Sequence, residues 1–152
     1  MEINDKLENL SFQVEENKII NEDDLKSYTC IIYFYPKDDT PGCTKEAVGF
    51  SDYFEKLKKL GVKIIGVSKD SIEKHKKFKN KYNLKFDLAT DDGTLCSLFN
   101  VWVEKSMYGK KYMGIERSTF VIDKQLKIVN IWRNVKVKGH VEEVYNFIEN
   151  LG

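Results

Sequence analysis

The stretch Tyr33-Phe34-Tyr35-Pro36-Lys37-Asp38-Asp39-Thr40-Pro41-Gly42-Cys43-Thr44-Lys45-Glu46 decides how the rest of the chain is read. It continues an apolar run that begins at Cys30-Ile31-Ile32, crosses a polar turn and enters a segment of helical period. The run has the β-branched and aromatic character of a strand. Thr40 suits a helix N-cap, and Pro41 at the first helical position gives up only an N–H that has no helical partner. Cys43 then falls at the third helical position, where the Thr40 hydroxyl is expected to accept from its amide. Its sulfur would lie among unpaired N–H groups at the positive end of the helix.

That position suits a sulfur nucleophile, but it is not sufficient by itself. A free thiol of pKa ~8.5 is only about 3% ionised at pH 7, and lowering the pKa to roughly 6 requires ~3.4 kcal/mol. A helix end supplies about 0.3–1 kcal/mol. A cation is therefore required; an Arg about 4 Å away contributes up to ~4 kcal/mol at an effective dielectric near 20, before desolvation.

Working outward, Leu10, Phe12 and Val14 alternate before a turn at residues 15–18 and the pair Ile19-Ile20, a hairpin pattern. Residues 21–26 could start a helical turn. Cys30 reads as a small buried hydrophobe within its strand. Ala47, Val48, Phe54 and Leu57 recur at helical spacing up to Gly61, and Val62–Ser68 is an apolar strand of the kind covered on both faces. Ser71 to Tyr82 reads as a basic helix with Ile72, His75, Phe78 and Tyr82 on one face, and His75 as a helix-face residue rather than a ligand. Phe86–Ala89 is a short strand, and Asp91-Asp92-Gly93 is a turn and cap before Leu95–Phe99 rather than a calcium loop. Thr119–Asp123 and Ile128–Trp132 form a second hairpin pattern, and residues 140–149 close the chain as an amphipathic helix with Val141, Val144, Tyr145 and Ile148 inward. The alternation predicts an α/β sandwich around a mixed central sheet, in a single domain over residues 1–152.

Composition narrows the function classes. With 152 residues, 41% hydrophobic and 32% charged, at a formal charge of +1, the chain has neither the basic excess of a nucleic-acid binder nor an apolar run of ~20 residues for a membrane span. The start of the chain is no signal peptide, so a cytoplasmic location is expected. Cys30, Cys43 and Cys96 make no disulfide framework, and neither they nor His75 and His140 show zinc-site spacing. No metal or cofactor is expected. Cys43 is followed by Thr44-Lys45-Glu46, so there is no C-x-x-C, which disfavours a thioredoxin-type dithiol reductase.

Pro36-x-x-x-Thr40-x-x-Cys43 resembles the active-site motif of the peroxiredoxins. The thirteen residues Tyr35–Ala47, with Glu116-Arg117-Ser118-Thr119-Phe120-Val121-Ile122-Asp123 downstream, resemble the Q subfamily, also called bacterioferritin comigratory proteins. The resemblance covers nearly the whole chain. It implies a thioredoxin-like fold with an added N-terminal β-hairpin, and reduction of hydrogen peroxide or organic hydroperoxides by a thiolate. Carried over by position, Cys43 attacks the peroxide and becomes a sulfenic acid. Thr40 holds the peroxide, Pro36 shields the sulfur from water and Arg117 supplies the cation.

One departure bears on the catalytic cycle. Many relatives resemble Cys-Thr-x-Glu-Ala-Cys, with a resolving cysteine five residues after the nucleophile, but that position here is Val48. Other members carry it on a later helix, at the position of Lys79. Cys96 remains as an internal candidate, although Leu95, Leu98 and Phe99 suggest a core-facing helix around it. The expectation is a one-cysteine cycle with an external reductant: thioredoxin, glutaredoxin or a small thiol. The chain is expected to be a monomer or weak dimer. A redox-sensing module, in which Cys43 oxidation signals without turnover, is the alternative class, and a disulfide-directed thiol reductase is the alternative enzyme.

Overall fold

In the computed structural model, which describes residues 1–151, the Cys30–Phe34 run lies in the interior of the sheet. The elements in chain order are β1 (Ser11–Glu15), β2 (Lys18–Asn21), α1 (Glu22–Leu25), β3 (Thr29–Phe34), α2 (Pro41–Asp52), α3 (Phe54–Lys59), β4 (Val62–Ser68), α4 (Ile72–Tyr82) and β5 (Asp87–Thr90). There follow α5 (Thr94–Leu98), β6 (Trp102–Met107), β7 (Lys110–Ile115), β8 (Ser118–Ile122), β9 (Ile128–Trp132) and α6 (His140–Glu149). Seven strands form one sheet in the order β2-β1-β5-β4-β3-β8-β9. β3 pairs parallel with β4 and antiparallel with β8, and β4 pairs parallel with β5. The expected mixed sheet is thus present, with the parallel strands at its centre joined by helical crossovers.

Because β3 is covered on both sides, its side chains alternate between two apolar clusters. Cys30, Ile32 and Phe34 pack with Leu95, Cys96, Phe99 and Phe120 on one face. Ile31 and Tyr33, with Tyr35 beyond the strand, pack on the other against Cys43, Ala47 and Phe50 of α2, Phe78 of α4, and Val144 and Ile148 of α6. The sheet therefore separates Cys43 from both other cysteines. On α6 all four residues expected to face inward do so, Tyr145 being only half buried.

Two local features differ from the sequence expectation. The helix expected to run to Gly61 is broken at Tyr53, which closes α2 through an N–H to the Gly49 carbonyl and precedes α3. The Tyr53 ring packs on Tyr145 of α6 at 5.0 Å, with Lys56 over both rings, so tertiary contact overrides the helical period there. The β6–β7 hairpin gave no strand signal in the sequence. Its two turn residues, Tyr108 and Gly109, both have positive φ, and its side chains stay largely exposed until Ile115, so the alternation of buried and exposed positions is missing.

At the centre of β4, Gly66 lies between Tyr33 and Leu88 in register. A Cβ there would come within 2.8 Å of both Leu88 Cδ2 and Tyr33 Cζ. Gly66→Ala is expected to destabilise the fold by about 1–3 kcal/mol in urea unfolding; a variant as stable as the wild type would mean that the Tyr33 ring moves without strain. His140 joins α6 to β8 through its Nε2 and the Thr119 hydroxyl, 2.7 Å apart. Burial lowers its pKa from 6.5 to about 4, so the unfolded chain takes up a proton that the folded one refuses. The corresponding stability is complete above pH 6.5 and is lost as pH falls from there towards 4. His140→Gln is expected to flatten this part of the urea midpoint against pH profile, and identical profiles would exclude the group.

Candidate active site

The site forms where the chain leaves the carboxyl end of β3. Tyr35 still donates its N–H to the Val67 carbonyl, after which the loop is tied to α4. Asp39, in the left-handed region at φ +58°, accepts from Lys81 Nζ at 2.8 Å and from the Tyr82 hydroxyl at 2.7 Å. These two donors hold its carboxyl below the usual range, Lys81 first. Thr40 is the N-cap residue of α2 and Pro41 occupies the first helical position, as expected. The expected cap hydrogen bond is not formed. The Thr40 carbonyl accepts from the Thr44 amide, but the Thr40 hydroxyl turns back and donates to the Lys37 carbonyl at 2.9 Å.

The next residues in the turn bring three charged or ionisable groups together. Cys43 is only 2% exposed. Arg117, in the short link between β7 and β8, reaches its sulfur with Nη2 at 3.3 Å and Glu46 Oε1 with Nη1 at 2.7 Å. Glu46 lies one turn after Cys43 on the same face of α2, with none of its surface exposed and Oε2 unpartnered. Burial pushes its carboxyl up to about 7, against the pull of Arg117. For Arg117 itself burial works against the charge, but Glu46 and Cys43 outweigh it and the pKa is raised. Gly42 gives the guanidinium room: a Cβ there would stand 3.2 Å from Arg117 Nη2, a tight contact. Lys105 of β6 lies along Gly114, and its ammonium is made more acidic by burial and then by the Arg117 charge.

Of the residues singled out in the sequence, the fold brings Cys43 and Arg117 into contact and puts Thr40 at the cap of the same helix. Pro36 is exposed at the start of the loop. Cys96 sits across the sheet, fully buried, with its N–H and that of Leu95 held by Asp91. Glu46 was legible only as an acid three residues after the cysteine on an otherwise apolar helix face, and it received no role. His75 belongs to the inner face of α4 as expected, but it is fully engaged in hydrogen bonds, which its spacing did not announce. A buried thiol under a permanent cation at a helix start is an arrangement for nucleophilic sulfur chemistry.

Comparison with known proteins gives a consistent assignment. Residues 3–131 match the AhpC/TSA family. The chain is 50% identical over 145 residues to a putative peroxiredoxin bcp of Coxiella burnetii, covering 95% of this chain and 96% of that one. It is 47% identical over 152 residues to peroxiredoxin Bcp of Bacillus subtilis, covering 99% and 97%. Among solved structures, a cysteine-to-serine mutant of PrxQ from Xylella fastidiosa superposes with a TM-score of 0.93 at 38% identity, over 98% of this chain and 96% of that one. A bacterioferritin comigratory protein of Xanthomonas campestris, studied for its alkyl peroxide reduction activity, matches with a TM-score of 0.86 at 40% identity, over 92% and 90%. With its thioredoxin-like fold and a match over most of its length, the chain belongs to the AhpC/TSA family and, within it, to the peroxiredoxin Q or Bcp group of thiol peroxidases.

Proposed function

We propose that the protein reduces hydrogen peroxide and organic hydroperoxides through Cys43 in a one-cysteine cycle, as a single domain that an external thiol regenerates. The observation that carries this reading is Arg117 Nη2 at 3.3 Å from Cys43 Sγ in the first turn of α2. The Cys43 thiolate attacks one peroxide oxygen, the O–O bond breaks, and the departing alkoxide or hydroxide takes a proton and leaves as alcohol or water. Cys43 becomes the sulfenic acid. Arg117 stabilises the thiolate and the charge that develops on the peroxide oxygens. Thr40 receives the peroxide O–H, and Pro36 limits water access from the loop. The alkyl peroxide reduction activity named for the Xanthomonas campestris relative supports organic hydroperoxides as substrates.

Regeneration is assigned to an external reductant of the thioredoxin, glutaredoxin or small-thiol class. The first thiol displaces water from the sulfenic acid to give a mixed disulfide, and a second releases Cys43. Val48 occupies the helix position where an internal thiol would be nearest in sequence. Cys30 and Cys96 both lie in the cluster on the far side of the sheet from Cys43. Burial pushes the Cys30 thiol up to about 12, and burial followed by Asp91 raises that of Cys96, so neither is a ready thiolate. Among the described residues no helix is long and apolar enough to cross a membrane.

One equivalent of hydrogen peroxide followed by dimedone is expected to give a single adduct, mapped to Cys43. A loss of two hydrogens with Cys43 linked to Cys96 would replace the one-cysteine cycle with an internal one. Cys43→Ser is expected to fold and to consume no peroxide, and turnover in it would reassign the nucleophile. Arg117→Met is expected to slow sulfenic acid formation on the order of a hundredfold. An unchanged rate would remove Arg117 from the chemistry.

A further inference from the structure

The loop between β3 and α2 is held from below by a second set of buried polar residues, none of which is hydrogen-bonded to the Cys43 or Arg117 side chain. Asp38, 9% exposed, is the hub. Its carboxylate accepts from the Tyr35 hydroxyl at 2.5 Å and lies 2.6 Å from His75 Nδ1. The other ring nitrogen of His75 is 3.1 Å from the Ala89 carbonyl, which can only accept, so Nε2 is the donor there. The Asp38 backbone N–H donates to Asp70 Oδ2 at 2.8 Å, and the same oxygen accepts from the Ser68 hydroxyl at 2.8 Å. Thr90 of β5 donates to the Asp70 carbonyl. The ends of β3, β4 and β5 and the inner face of α4 are thus fastened to one peptide unit.

That unit is the peptide joining Lys37 and Asp38. Its N–H end is fixed by Asp70, and its carbonyl end accepts the Thr40 hydroxyl proton at 2.9 Å. A hydroxyl has a single proton to give. With that proton on Lys37, Thr40 Oγ1 presents only lone pairs to the site. We propose that Asp38, Asp70 and His75 are positioning residues for hydroperoxide capture, orienting the Lys37–Asp38 peptide so that Thr40 acts as acceptor of the substrate O–H. This rests on the peroxidase reading of Cys43. If the peptide tips, Thr40 turns its proton towards the substrate and competes with it as donor. Arg117 and the helix start, which act on the sulfur itself, are unaffected.

The test separates capture from sulfur reactivity by measuring two rates on each variant: single-turnover oxidation of Cys43 by hydrogen peroxide, and alkylation of Cys43 by iodoacetamide. Asp70→Ala and His75→Leu are expected to slow peroxide oxidation on the order of tenfold to a hundredfold while alkylation stays within about threefold. Asp70→Asn, which keeps an acceptor for the Asp38 amide, is expected to recover most of the oxidation rate. A merely structural role would lower both rates together, along with the melting temperature, and would overturn the proposal. So would folded Asp70→Ala or His75→Leu proteins that react with peroxide at the wild-type rate. A wild-type Cys43 no faster with peroxide than a free thiol would overturn the peroxidase reading, and this proposal with it.

Discussion

A guanidinium cannot lose its charge at any ordinary pH, and the site is arranged around that constancy. Arg117 is fixed by Glu46 on one side and meets the Cys43 sulfur on the other. A buried cation needs an anion to be tolerated, and Glu46 supplies one from the same helix as the thiol. The second oxygen of Glu46 is left without a partner, and burial raises its proton affinity, so the ion pair is held at the expense of a poorly solvated carboxyl. The fit is close: a Cβ at Gly42 would ask the guanidinium to shift by a few tenths of an ångström.

The sheet gives this pairing its rigidity and its isolation. Arg117 stands immediately before β8, Cys43 follows β3 across one loop, and the two strands are hydrogen-bonded neighbours along five residue pairs. A shift of either strand would misplace the contact, and both are fully packed in the core. The same sheet keeps the other two thiols in a separate apolar layer. Cys43 therefore has no neighbouring sulfur on its own side of the sheet.

Much of this was legible in the sequence because local rules and tertiary packing agree there. The Cys30–Phe34 run, the Thr40-Pro41 helix start and the Val62–Ser68 strand all fold as their residue types dictate. Cys43 and Thr40 stood out by spacing within a few residues. Arg117 did not, since 74 residues separate it from Cys43 and only the family resemblance joined them. The break at Tyr53 and the Asp38–His75 contact were hidden for the same reason: each depends on a partner distant in the chain, and periodicity carries no information about such partners. The β6–β7 hairpin was missed differently, because a ribbon that buries almost nothing leaves no alternation to read.

The interruption at Tyr53 also sets how far a disturbance at Cys43 can travel. With α2 wound, the Cys43 sulfur is almost wholly covered. Beyond Tyr53, α3 begins afresh and enters the same apolar cluster through Leu57. The crossover from β3 to β4 thus contains a natural stop. The helix bearing Cys43 is hydrogen-bonded separately from α3, and the connection between the two central strands is two short helices rather than one long one.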